Sequence, residues 1–352
     1  MEFQHPNILT KEGSNVKDIY FDKNYGVLYE EVENGKSELY KFEHPLGEVH
    51  HLFIKREIPI HIGEETFYDL VTPYGYGGPI VVNSKEGEKS QLIQAFEEEF
   101  QAYCKQNKIV SEFIRFHPIL NNAQDFQEYY EIESIRKTVG TNLKEYDDPV
   151  QQEFSKTARK NVRKALQAGV EFQITVNPKE LKNFKEIYYS TMQRNNAASY
   201  YFFDDNYFDK CTELFGDRIL LTEVTYQAKV IGIGFNFLYN NILHTNLSGT
   251  LEEYHHLSPA YVLQYAITVW GKENGIDLIH DGGGRTNSED DSLFMFKKQF
   301  GKNTRFQFCV GRKIWDEEIY KKLCQAAGVD RDLELDFFPA YRKRVLKEVE
   351  SR

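Results

Sequence analysis

The stretch from Ile276 to Gly301, IDLIHDGGGRTNSEDDSLFMFKKQFG, constrains the fold more than any other part of the chain. An apolar run ends in His280-Asp281 and three glycines, and a short apolar-periodic segment then leads to Phe296-Lys297-Lys298 and Gly301. This pattern predicts a strand, a tight loop and a short helix. Glycines directly after a strand permit positive φ and the close approach of a ligand or another segment. Their spacing matches neither G-x-G-x-x-G nor G-x-x-x-x-G-K-[ST], so neither nucleotide-phosphate loop is present here. Two readings stay open: a functional loop, or a plain turn beside an exposed lysine pair.

Such a unit needs a sheet around it, and 352 residues are too many for one ordinary core. The Tyr and Phe content, 23 and 26 residues, supplies enough apolar surface for two cores and argues against disorder. We expect domains at 1–148 and 149–330 and a closing helix over 331–352, the first boundary falling at the acidic turn Glu145 to Pro149. The start of the sequence lacks a basic segment followed by an apolar one, and no run approaches the ~18 apolar residues of a membrane span. The expected location is therefore the cytoplasm. Four scattered cysteines (Cys104, Cys211, Cys309, Cys324) without C-x-x-C spacing imply reduced thiols and no zinc site. His255 and His256 are adjacent and project apart, so no metal is expected. A net charge of -11 repels nucleic acid overall, and any polyanion must meet a local basic patch.

In the first half, strands are expected at Gly26 to Val32, Glu38 to Phe42, Val49 to Ile54, Thr66 to Val71, Ile80 to Asn83 and Phe113 to Phe116. A helix over Ser90 to Gln106, with Ser90 as N-cap, follows from apolar residues at helical spacing. The segment TPYGYGGP places three glycines and two prolines in eight residues. It is a shaped loop whose Tyr74 and Tyr76 either line a groove or brace a turn.

From Ser155 to Lys164 the chain carries Lys156, Arg159, Lys160, Arg163 and Lys164 with no acid among them. At roughly 100° per residue these cations cover about 140° of arc, and Phe154, Ala158, Val162, Ala165 and Leu166 occupy the other side. One face packs; the other is either a solvated surface or a phosphate site. The second half continues with a strand at Phe172 to Val176, helices at Pro178 to Gln193 and Asp205 to Phe215, and a meander at Ile219 to Thr225, Val230 to Leu238 and Ile242 to Leu247. A helix opened by Ser258-Pro259 feeds the strand Ile276 to His280. Strands at Arg305 to Val310 and Lys313 to Trp315, across Gly311-Arg312, and a helix at Glu317 to Ala327 complete the pattern.

This order of elements resembles the fold of the GCN5-related N-acetyltransferases (GNAT). The segments ARKNVRKALQAGV, LHTNLSGT, LSPAYVLQYAI, IHDGGG and FMFKKQFG resemble, in sequence order, the Fem-type aminoacyltransferases of peptidoglycan-bridge synthesis and their N-acetyltransferase relatives. TPYGYGGP is similar to a loop of those relatives. The likeness covers most of the chain and implies an α/β (α+β) protein of two GNAT-like domains, each a mixed, mostly antiparallel sheet flanked by helices.

The resemblance places the family's catalytic-site lysine at Lys297, where its cation would offset charge developing on an acyl oxygen. Gly282, Gly283 and Gly284 would approach the reacting groups beside Phe296. His280, Asp281 and His244 are candidate proton acceptors for an incoming amine, His280 foremost because it ends a strand where α/β sheets place ligands, and His244 equally readable as a core histidine. Arg159, Arg163 and Arg194 are candidates for phosphates. The implied donor is an acyl-CoA such as acetyl-CoA, or an aminoacyl-tRNA. The implied acceptor is an amine on a nucleotide- or lipid-linked sugar or peptide of the cell envelope, attacked directly. Two departures bear on the donor: no Q/R-x-x-G-x-G/A segment precedes the Ser258 helix, and the paired helical arm of several Fem members is absent. A non-catalytic protein that only binds a glycan precursor is the competing expectation. The oligomeric state is not encoded in any of these features.

Overall fold

The computed structural model describes residues 17–329 and 337–343. They divide into two compact units, one made of 17–135 together with the chain from Gln307 onward, the other of Arg136–Phe306. The division thus falls within two strands rather than at 148/149, and the chain beyond Gln307 returns to the first unit.

In the first unit, helix α1 (Lys23–Leu28) precedes a hairpin of β1 (Lys36–His44) and β2 (Gly47–Glu57), paired from Lys36↔Lys55 to His44↔Gly47. β3 (Tyr68–Val71) and β4 (Ile80–Ser84) both lie antiparallel to β2. Helix α2 (Lys89–Gln106) leads to β5 (Ile109–Arg115), which runs parallel to β3 and antiparallel to the end of β12 (Arg305–Ile314). α3 (Asn122–Asp125) and α10 (Glu317–Ala327) belong to the same unit. The apolar face of α2, with Leu92, Phe96, Phe100 and Cys104, packs on Val49, Phe53, Ile114 and Phe116. That burial, at about 25 cal/mol per Å2 of apolar surface, holds helix to sheet.

Three sequence expectations fail in this unit. Gly26 to Val32 is not a strand, because Asp22 caps a helix by accepting from Asn24 N at 3.0 Å and the chain then turns. Ser90 is not the N-cap of α2, which begins at Lys89 after Glu88. The strands expected on either side of Gly311-Arg312 are one strand, and Gly311 is needed there because a Cβ would sit 2.5 Å from the Phe116 ring. The closing helix expected over 331–352 lies largely outside the described residues; within them, Ala340–Arg342 forms a short 3-10 turn.

That turn is fastened by a buried carboxylate. Asp69, fully buried, accepts from Arg56 Nε at 2.8 Å, from Arg342 Nη2 at 3.1 Å and from the Tyr341 hydroxyl at 3.1 Å. Tyr341 also contacts Ser111 Oγ at 2.8 Å. Removing one member of such a buried ionic set leaves the others uncompensated. Asp69→Ala is expected to cost about 3–5 kcal/mol, read as a lower denaturant midpoint.

The second unit opens with the end of β6 (Glu131–Asn142), followed by α4 (Pro149–Glu153), α5 (Lys156–Gln167), β7 (Val170–Val176), α6 (Lys182–Arg194) and α7 (Asp205–Phe215). β8 (Ile219–Tyr226), β9 (Lys229–Tyr239) and β10 (Ile242–Thr250) form the expected antiparallel meander, with β7 paired on β8. Helix α8 (Pro259–Glu273) then carries the chain to β11 (Leu278–Gly282), which lies parallel to β10 and antiparallel to β6. α9 (Ser292–Lys297) follows the glycines. Each unit therefore contains antiparallel strands, a helix, and a strand returning parallel to one of them, β5 on β3 and β11 on β10. The core beneath α8 gathers Leu220, Leu238, Leu243, Ile267, Ile276 and Ile279. Among the described residues no helix is long and apolar enough to cross a membrane, and no group of three His, Cys, Asp or Glu side chains is placed to hold a metal ion.

Candidate active site

The site lies where β10 and β11 stop pairing. Their parallel register runs Ile242↔Leu278, Leu243↔Ile279 and His244↔His280, and ends there. Both strands are irregular just beyond: β10 shifts register against β9 between Thr245 and Leu247, and β11 shifts against β6 between His280 and Gly282. Bulges re-aim side chains and break ladders, and here they free the carboxyl ends of two adjacent strands.

Asp281, the residue at the β11 irregularity, is buried. Its Oδ1 accepts from Gln264 Nε2 of α8 at 2.9 Å and from the Thr245 hydroxyl at 3.3 Å, while Oδ2 has no hydrogen-bond partner. Burial pushes the carboxyl up to about 7, against the opposing pull of the Lys297 ammonium, Gln264 and Thr245. Lys297, the last residue of α9, donates to Gly283 O at 2.9 Å. Burial lowers its pKa, opposed by the charges of Asp281 and Asp291 and reinforced by Arg136. An acid and a base are thus drawn toward each other's range, a condition that suits proton transfer.

The glycine loop is held by two anchors. Arg136 Nη1 of β6 donates to Gly284 O at 2.6 Å. Asp291 caps α9, accepting from Leu293 N and Phe294 N at 3.0 Å each, and also from Thr286 N at 3.0 Å. Those backbone donors, Phe294 N first, hold Asp291 down at about 2. Gly284 is required because a Cβ would lie 2.4 Å from Asp291 Oδ1. Gly282 takes φ +71, turning the chain out of β11, and Gly283 supplies the carbonyl for Lys297. The glycines therefore shape the loop and hold the lysine.

The structure separates the other expected residues. His280 turns away from Asp281: its Nε2 meets Thr138 Oγ1 at 3.0 Å, and its ring packs on His244 at 5.7 Å and Phe306 at 5.9 Å. Both histidines are buried, and as register partners on adjacent strands they share one face of the sheet. Phe296 packs on Tyr261 and Phe300 and lines a cleft of about 330 Å3. Arg194, Thr191, Ser248, His255 and Ser258 also line it, and Arg194 Nη1 donates to Thr250 O at 2.8 Å. Arg159 is tied down by Phe154 O at 2.5 Å and Gln151 O at 3.0 Å, whereas Arg163, Lys160 and Lys164 stand exposed on α5. Tyr74 and Tyr76 belong to the first unit: Tyr74 O accepts from Tyr25 OH at 2.8 Å, and Tyr76 packs on Tyr20 and Phe308. Gln264, Thr245 and Arg136 were not expected from the sequence. The one signal was a glutamine set between Leu263 and Tyr265 on the inward side of α8.

Residues 152–298 match the family model described as an acetyltransferase (GNAT) domain. The chain carries a GNAT acyltransferase domain. Its fold is Fem-like: the crystal structure of FemX superposes with a TM-score of 0.64 over 86% of this chain and 93% of that one, at 13% identity. L-PGS from Bacillus licheniformis superposes at 0.51 over 83% of this chain and 92% of that one, at 11% identity. In sequence, the chain is 26% identical over 172 residues to the UDP-N-acetylmuramoylpentapeptide-lysine N(6)-alanyltransferase of Weissella viridescens. That match takes in 48% of this chain and 49% of the alanyltransferase, so the chain spans about half the length of this relative.

A GNAT domain implies acyl-CoA, whose pyrophosphate needs free amides at a helix N-terminus. At α8 several of those positions are already engaged or lack a donor. Ser258 N donates to His255 O at 2.9 Å, Tyr261 N to Ser258 O at 3.0 Å, and Pro259 has no N–H. Ser258 sits at φ +56 in the capping position without a side-chain cap, and the turn before it is Glu252–Leu257, free of glycine. Without a glycine in that turn, close approach of a pyrophosphate to this backbone is disfavoured.

Proposed function

We propose that this chain is a cytoplasmic N-acyltransferase that moves an aminoacyl group from an aminoacyl-tRNA to an amine of a nucleotide- or lipid-linked peptidoglycan precursor. The observation that carries the reading is Asp281 Oδ2, a buried carboxylate oxygen without a partner, close enough in charge to Lys297 to shift its ionisation. An amine arrives protonated and cannot attack until it loses that proton. Asp281 accepts it, the amine nitrogen bonds to the ester carbonyl carbon, and Lys297 faces the charge gathering on the carbonyl oxygen. The carbon–oxygen ester bond then breaks, and the departing ribose oxygen takes up a proton. No enzyme nucleophile is invoked: the four cysteines are buried, and burial pushes the thiols of Cys104 and Cys211 up. The tRNA donor is supported by the glycine-free turn and the Pro259 start of α8, which disfavour a CoA pyrophosphate there. The acceptor class is supported by the likeness to the alanyltransferase, whose name specifies a lysine on a muramoylpentapeptide.

The test is transfer of labelled alanine from alanyl-tRNA, against labelled acetyl from acetyl-CoA, to a lysine-bearing UDP-N-acetylmuramoylpentapeptide. Transfer from acetyl-CoA with none from tRNA would overturn the donor. The cationic face of α5 makes a second expectation. Reversing Lys160, Arg163 and Lys164 to Glu should raise KM for the charged tRNA at least tenfold and flatten its salt dependence by a slope of about 2. The same variant raising KM only for the nucleotide-linked peptide would give that face to the acceptor.

A further inference from the structure

Asp281 is held asymmetrically. Both of its hydrogen bonds, from Gln264 Nε2 at 2.9 Å and from the Thr245 hydroxyl at 3.3 Å, end on Oδ1, and the buried Oδ2 has none. The Thr245 hydroxyl is shared with His280 O at 3.4 Å, so Gln264 supplies the stronger contact. Gln264 lies in the second turn of a long helix beside buried Leu263 and Ala266, and its backbone carbonyl accepts from Thr268 Oγ1 at 2.7 Å. A carboxylate with two equivalent free oxygens can rotate and present either; one gripped at Oδ1 presents Oδ2 alone.

We propose that Gln264 is a positioning residue for the acyl transfer: it clamps Asp281 by Oδ1 so that Oδ2 alone receives the proton of the acceptor ammonium. The inference rests on the reading of Asp281 as proton acceptor. The charged groups around Asp281 and Lys297 come from each packed element: Lys297 and Asp291 from α9 and its cap, and Arg136 from β6. Against that fixed background, a hydrogen bond donated to the charged form favours it. Gln264 therefore holds the Asp281 carboxyl below where burial alone would put it. Losing the donor raises that pKa, and the base becomes protonated up to a higher pH.

The experiment is the pH profile of kcat/KM for Gln264→Met, which keeps length and volume but removes the donor. The acidic limb is expected to move up by about one unit, so activity falls roughly tenfold on the acidic side and recovers above the limb. KM for the donor should stay unchanged. Thr245→Val, which loses one hydroxyl, should move the limb in the same direction by less, and it carries the test if Gln264→Met fails to fold by circular dichroism. A uniform loss at all pH values with the limb unmoved in both variants overturns the clamp. Asp281→Asn separates the two ideas: if it removes both activity and the limb while Gln264→Met leaves the limb in place, the base stands and only the positioning role falls.

Discussion

Lys297→Ala is expected to lower kcat for transfer by about 10²–10³-fold with the fold intact, since one preorganised charge facing a developing oxyanion is worth about that much. The side chain is attached to the last residue of α9 and its ammonium contacts only a loop carbonyl, Gly283 O, among the hydrogen bonds described. Circular dichroism should match the parent, while the thermal midpoint shifts, because a buried ammonium coupled to the Asp281 carboxyl is removed. Binding of both substrates should persist, which places the loss in kcat rather than KM. Lys297→Arg should recover little, because a planar guanidinium cannot occupy the pocket of a compact ammonium. Full transfer by the alanine variant would remove Lys297 from the mechanism.

Asp281→Asn should abolish transfer and, at the same time, stabilise the protein. A carboxyl raised to about 7 in the folded chain from an ordinary ~3.9 is protonated when folded and ionised when unfolded between those values. Stability from this group is then present at low pH and declines as pH rises from about 4 to 7, where the buried carboxylate finally has to carry its charge. Asparagine never ionises. The variant should therefore unfold at higher denaturant than the parent at pH 8 and at nearly the same concentration at pH 4, a difference of up to about 4 kcal/mol between the two conditions. Equal midpoints at pH 8 would mean that Asp281 is not held in a desolvated site. Loss of activity coupled to gain of stability is the signature of a residue kept for chemistry at the expense of the fold.

How much of this was legible beforehand varies by element. The β10–α8–β11 unit was readable because long apolar periods and a terminal glycine cluster are local signals, whereas Lys297 was singled out only by the family resemblance. β6 was not read at all: its burial alternates only weakly, with Thr138 to Thr141 buried and most of Glu131 to Lys137 exposed, so the strand has no sequence period to follow. Arg136 and Thr138 were lost with it. Gly311 was read as a turn because glycine marks turns, yet it is there to clear the Phe116 ring. His280 was the favoured base in sequence, and only the direction in which each side chain leaves the strand turns the choice to Asp281. Gln264 has no motif; its meaning comes from a carboxylate 17 residues away in the chain.

Among the described residues the second unit is an uninterrupted segment, whereas the first is closed by residues that follow it. On the ribosome this fixes an order of events. β5 has no β12 partner until Gln307 to Ile314 have been made, and the Asp69 carboxylate waits longer still for Tyr341 and Arg342. The transferase segment can finish its own sheet while the amino-terminal half is still incomplete, so the part of the chain synthesised first is the part that matures last. A nascent-chain protease experiment should find Arg136–Phe306 protected before residues 17–135, reversing the usual amino-to-carboxyl sequence of domain folding.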